Sequence, residues 1–200
     1  MAEDGMKQID LALQGGGSHG ALTWGVLDRL LEDERIAISA ISGTSAGAMN
    51  AVVVADGLVQ GGRAGAREAL QSFWKAVSDA GRFSPIQRTI WDRLTGNWSL
   101  DGSPSYLFFE QFTRTFSPYE WNLLDLNPLR DLLAEQVDFE RVNRCTETKV
   151  FVTATNVRTG RAKIFAQPQL GVDAVMASAC LPFMFKAVEI DGEAYWDGGY

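Results

Sequence analysis

The chain has 200 residues, 46% of them apolar and 22% charged, the balance of a globular domain with one sizeable core. Its net charge is −7 and its pI about 4.7, which argues against nucleic acid as a partner, since phosphate contacts need clustered Lys and Arg. Two cysteines form no disulfide framework, and a single histidine leaves no Cys/His set with zinc-ligand spacing.

The N-terminus, Met1 to Gly5, is acidic and has neither a basic n-region nor an apolar h-region, so no secretory signal is read there. No apolar run reaches the ~18 residues of a membrane span. The longest, Ala46 to Ala55, is cut by Asp56. A cytoplasmic location is the expectation.

In chain order, Ile9 to Leu13 reads as a strand that enters Gly15-Gly16-Gly17-Ser18-His19-Gly20. A helix follows, with Leu22, Val26, Leu27, Leu30 and Leu31 at helical spacing. Ile36 to Ile41 is the second strand, so the opening is a βαβ unit with parallel pairing.

The second strand runs into Gly43-Thr44-Ser45-Ala46-Gly47, and a run of small residues to Ala55 leaves it. Strand, sharp turn and helix put one serine at an apex, with glycines where backbone angles and close approach demand them. The same five residues also fit an ordinary βα turn with a helix-capping serine. Gly57, Gly61, Gly62 and Gly65 read as a loose connection, and Ala66 to Val77 as an amphipathic helix.

Residues 73–121 differ in character. They hold 12 of the 21 aromatic residues, together with three prolines, and read as an aromatic-rich insertion over the core. Such a segment serves as a satellite core or as an apolar cover for an acyl group.

Leu126 to Gln136 opens a short helix with proline in its first turn. Lys149 to Thr155 and Arg161 to Ala166 are strands joined by a Thr159-Gly160 hairpin. Val172 to Cys180 is a helix that ends before Pro182. Lys186 to Ile190 and Glu193 to Trp196 flank a second hairpin, Asp191-Gly192, and lead into Asp197-Gly198-Gly199.

A serine nucleophile needs a base. Three readings stand: His19 is the base, a carboxylate is the base, or Ser45 is not catalytic. Asp197 has a local recommendation, since it follows a strand and precedes two glycines at an open strand end. The Gly15-Gly16-Gly17 loop offers unhindered amides at a helix start, suited to an oxyanion. Gly15-x-Gly17-x-x-Gly20 also spells a dinucleotide fingerprint. That fold wants an acidic residue at the end of the second strand, about 20 residues on, and this strand ends Ala40-Ile41-Ser42-Gly43.

Three blocks in order, Gly15 to Gly20, Gly43 to Gly47 and Asp197 to Gly199, resemble the patatin-like phospholipases, lipid acyl hydrolases. Ala177-Ser178-Ala179-Cys180-Leu181-Pro182 and Trp196-Asp197-Gly198-Gly199 are similar to bacterial members. The resemblance implies a three-layer α/β/α sandwich with a mainly parallel central sheet, here one domain over residues 1–200 that lacks its C-terminal portion. It implies a Ser-Asp dyad, with Ser45 as nucleophile and Asp197 as base. The amides of Gly15, Gly16 and Gly17 become the oxyanion hole, and Ser18, His19, Gly20, Gly43, Thr44, Ala46, Gly47, Gly198 and Gly199 are motif positions around them. The substrate is a lipid or acyl ester met at a membrane periphery, with no metal and no organic cofactor. His19 stands where many members carry Arg or Lys. The alternatives are a dinucleotide-binding oxidoreductase and a non-catalytic lipid-binding protein.

Overall fold

A computed structural model describes residues 6–82, 95–96 and 103–200. Among these, one six-stranded sheet is built from β1 (Lys7–Leu13), β2 (Ile36–Gly43), β3 (Lys149–Asn156), β4 (Ala162–Ala166), β5 (Val188–Ile190) and β6 (Glu193–Asp197). β1 pairs with β2 and β2 with β3 in parallel, as a βαβ opening requires. The remaining three pairings are antiparallel: β3 with β6 across a long connection, and β3 with β4 and β5 with β6 as hairpins. At the second, Asp191 and Gly192 both take positive φ, 53° and 76°, the backbone of a type I′ turn. The fold is therefore α/β on an open, mixed sheet.

The register of β3 places the site. β4 pairs with Phe151 to Thr155, β2 with Lys149 to Val152, and β6 with Ala154 to Asn156. β4 overlaps both other ranges, so β2 and β6 share the opposite edge of β3. β2 runs parallel to β3 and β6 antiparallel, so their C-terminal ends approach each other. Gly43 faces Val152, Asp197 faces Ala154, and only Thr153 lies between.

The helices are α1 (Gly20–Glu32), α2 (Ala46–Gly81), α3 (Pro104–Thr115), α4 (Pro118–Trp121), α5 (Pro128–Gln136), α6 (Phe139–Arg144) and α7 (Val172–Ser178). α2 breaks only at Gly61 and Gly62, where φ is −159° and 59°. Its two arms fold back against each other. The sequence reading placed a loose connection across Gly57 to Gly65, yet Gly57 and Gly65 are helical and form the crossing. A Cβ at Gly57 would lie 2.5 Å from Ala66 Cα, and one at Gly65 would lie 2.5 Å from the Gly57 carbonyl oxygen. Gly57→Ala is accordingly expected to cost about 1–3 kcal/mol in urea unfolding, despite alanine's better helix propensity. An unchanged midpoint would show that the arms separate freely.

The first arm is buried on every side from Ala46 to Leu58, which explains its continuous small and apolar sequence. Asp56 sits in that arm at 1% exposure and is held by Arg141 of α6, with Nε donating at 2.6 Å and Nη2 at 3.2 Å. A carboxylate buried this deeply requires such a partner.

α1 presents a different face from the one its spacing suggests. Leu27 and Leu31 are buried, whereas Leu22 and Val26 are exposed. Gly20 decides this, because a Cβ there would lie 2.7 Å from both the Trp74 ring and Ala46 Cβ. Pinned at Gly20, the helix turns residues 24, 27 and 31 inward. Asn50, fully buried, donates to the Gly20 carbonyl at 3.0 Å and accepts from Trp74 Nε1 at 2.8 Å, locking α1 to both arms of α2.

Both cysteines are free and buried. Burial pushes the Cys180 thiol up to about 11, so it stays protonated and unreactive at pH 8. Titration with a thiol-reactive disulfide at pH 8 is expected to show no fast-reacting thiol in the native chain and two after denaturation. Rapid native reaction would contradict the packing around residues 180–186. Among the described residues, no helix is long and apolar enough to cross a membrane.

Candidate functional site

Ser45 occupies the turn between β2 and α2 with φ 55° and ψ −124°, a conformation that costs a non-glycine residue roughly 1–3 kcal/mol. The turn is this tight because strand and helix nearly touch. A Cβ at Gly47 would meet the Leu13 carbonyl oxygen at 2.3 Å, and one at Gly43 would meet the Ala48 nitrogen at 2.6 Å. Thr44 N donates to the Leu13 carbonyl at 3.1 Å and ties the elbow to β1. Ser45 stands at the N-cap position of α2, yet its hydroxyl makes no capping bond to the helix. The helix-capping alternative therefore fails, and the hydroxyl is left at the positive end of a long helix.

The glycine loop lies against this serine. A Cβ at Gly15 would be 2.9 Å from Ser45 Cβ and 3.6 Å from Ser45 Oγ. Gly17 has φ 55°, so the loop turns through a conformation that glycine adopts without penalty. Among the described residues, none accepts a hydrogen bond from the amides of Gly15, Gly16 or Gly17. Ser18 lines the same cavity as the three glycines.

Asp197 ends β6 and is 5% exposed. Its Oδ1 accepts from Gly199 N at 2.8 Å, which restrains the side chain. Gly198 passes so close to β3 that a Cβ would lie 2.6 Å from the Thr153 carbonyl oxygen and 2.9 Å from Thr44 Cγ2. Among the described residues no hydrogen bond joins Ser45 Oγ to Asp197, and both line one cavity of about 840 Å³. Unliganded sites commonly hold such pairs at longer range than the reacting complex does.

His19 is elsewhere. It is exposed, its ring Nδ1–H donates to the Gly16 carbonyl at 3.1 Å, and it does not line the cavity.

Sequence reasoning quoted Ser178 only for a resemblance, and the structure gives it a position of its own. It is fully buried at the end of α7. Its hydroxyl accepts from Ser45 N at 2.9 Å and donates to the Thr153 carbonyl at 2.6 Å. Its own carbonyl accepts from Gly198 N at 3.4 Å, and the Cys180 carbonyl accepts from Asp197 N at 2.9 Å. Residues 178–180 thus hold both the serine elbow and the aspartate turn. No local signal marks this role, since Ser178 and Ser45 are 133 residues apart.

Apart from Gln14 and Thr44, the remaining cavity wall is apolar, with Met49, Phe73, Trp74 and Val77 from α2, Leu129 from α5, and Leu181, Met184 and Phe185 after α7. Phe73 and Trp74 belong to the aromatic segment 73–121, of which residues 83–94 and 97–102 lie outside the described ones.

These features define an α/β protein with a serine-bearing elbow, a glycine loop and a buried aspartate around one apolar cavity. A sequence model described as patatin-like phospholipase matches residues 11–200, and the chain belongs to that family. Comparison with curated proteins gives no match. Among solved structures, VipD from Legionella pneumophila is similar at a TM-score of 0.52 and 16% identity, covering 95% of this chain and 45% of that one. ExoU, in the ExoU–SpcU heterodimeric complex of the type III secretion system of Pseudomonas aeruginosa, gives a TM-score of 0.44 at 17% identity, covering 88% of this chain and 37% of that one. The chain thus spans less than half the length of either. The likeness to VipD shows a shared α/β fold, and the family assignment leaves the dinucleotide-binding alternative without support.

Proposed function

We propose that the chain is a lipid acyl hydrolase acting through Ser45 and Asp197. The observation that carries this reading is a convergence on one apolar cavity. A strained serine whose hydroxyl caps no helix, a buried carboxylate and three glycine amides from which no described residue accepts all line it.

Ser45 Oγ attacks the ester carbonyl carbon as its proton passes to Asp197. The oxyanion formed is met by the amides of Gly15, Gly16 and Gly17 and by the N-terminus of α2. Collapse breaks the bond to the alcohol, which leaves with the proton from Asp197. Water then attacks the acyl-Ser45, Asp197 takes its proton, and collapse returns that proton to Ser45 as the fatty acid departs. The acyl chain lies along Phe73, Trp74, Leu129 and Met184, where apolar contacts replace water. This chemistry draws on no cofactor. With a carboxylate as base, the scarcity of histidine in the chain is no obstacle.

The test is covalent labelling with a fluorophosphonate probe and peptide mapping, beside hydrolysis of 4-nitrophenyl decanoate. Label on Ser45 with ester turnover supports the reading. Lipid binding without label would make the chain a lipid-binding protein instead.

A further inference from the structure

Among the described residues, eight of the fifteen exposed large hydrophobic side chains fall between residues 107 and 126. Their aromatic members are linked from α3 to α4. The rings of Phe108, Phe112 and Phe116 follow each other along α3, with centroids 6.4 and 5.0 Å apart. Trp121 of α4 meets Phe112 at 6.0 Å and carries the surface onto the next turn.

That turn is built to hold leucines outward. The Asn122 side chain accepts from Leu126 N at 2.9 Å and donates to the Leu126 carbonyl at 3.2 Å, closing the loop on itself. Asp125 takes φ 53° within it. Leu123, Leu124 and Leu126 are 71%, 80% and 65% exposed. A turn whose polar groups are satisfied internally, and whose apolar side chains all face outward, is suited to entering an apolar phase.

The surface is continuous with the cavity wall. Lys186 Nζ donates to the Leu123 carbonyl at 3.0 Å, and Ala187 N donates to Tyr119 Oη at 3.1 Å. Met184 and Phe185, just before them, line the cavity that holds Ser45. The charged side chains described on this face are Glu120, Asp125 and Lys186. Glu120 is engaged in capping α4, through Ser117 N at 2.9 Å. Among the described side chains of this face there is no cationic cluster for anionic headgroups.

We propose that α3, α4 and the Asn122–Leu126 turn dock the chain on a zwitterionic lipid surface, placing the cavity beside the bilayer. The proposal rests on the acyl-ester reading for its purpose, and its binding step is measured independently of catalysis.

The experiment is flotation of the Ser45→Ala chain with phosphatidylcholine vesicles at low and high salt. Partition that changes little with salt is expected. The triple variant Leu123→Ser, Leu124→Ser, Leu126→Ser is expected to lower partition about 30-fold without altering the thermal melt. With Ser45 intact, the same triple variant keeps turnover of a soluble acetyl ester and loses turnover of vesicle-borne esters. Absence of vesicle binding by the parent chain, or equal binding by the triple variant, overturns the proposal. So does self-association that the triple variant abolishes without any vesicle binding. If vesicle binding depends on the leucines while no ester is turned over, docking stands and the hydrolase reading fails.

Discussion

Ser45→Ala is expected to abolish fluorophosphonate labelling and to lower kcat for an acyl ester by about 10⁴–10⁶-fold. The effect is large because the reaction loses its covalent intermediate outright. Stability should hardly change, since Ser45 Oγ caps nothing and the elbow keeps its backbone contacts. Asp197→Asn should fall to a similar floor, because an amide cannot take the serine proton while Gly199 N still orients the side chain. The double variant should be little worse than either single one, the signature of residues acting as a unit. Ser45→Gly offers a further check on the strained backbone. It relieves a φ of 55° and is expected to raise unfolding stability by about 1 kcal/mol while remaining inactive. Full turnover by the Ser45→Ala or Asp197→Asn variant would end the dyad assignment.

Ser178→Ala is the second large effect. The hydroxyl bridges Ser45 N at 2.9 Å and the Thr153 carbonyl at 2.6 Å, with no exposure to solvent. Removing it leaves a buried amide and a buried carbonyl without that partner, a cost of about 1–3 kcal/mol in stability. The elbow also loses the strut that sets it against Asp197. A displacement of about 1 Å at a reacting group costs about 100-fold in rate, so kcat should fall by that order with KM little changed. The labelling rate should fall in parallel, while binding of a product fatty acid is retained. A merely structural role predicts lower stability with an unchanged rate at a temperature where the variant is fully folded, and that result would remove Ser178 from the site's machinery.

Much of this was legible in the sequence because it is encoded locally. Gly43 and Gly47 announced an elbow, and they sit where a Cβ would collide with backbone. Thr159-Gly160 and Asp191-Gly192 announced hairpins, and both hairpins form. The Gly15 to Gly20 block marked a loop against the serine. The errors are equally instructive. The spacing of Leu22 and Val26 is helical, yet the contact of Gly20 with Trp74, far along the chain, rotates α1 so that both face solvent. The glycines between 57 and 65 looked like a linker because sequence alone cannot separate a glycine that bends a helix from one that lets two helices touch. Asp56 looked like the end of an apolar run, and Arg141 makes it an interior residue.

The sequence by itself determined the turn chemistry, the alternation of strands and helices, and the three blocks from which the family could be read. Each depends on the conformational preferences of a few neighbouring residues. Only the tertiary structure decided that these blocks meet. Ser45 and Asp197 come together because β2 and β6 end head to head along one edge of β3, with Thr153 between them. Ser178 joins them through that same Thr153 carbonyl. Strand register and helix packing are set by the sum of many distant contacts, and no short stretch of the chain contains them.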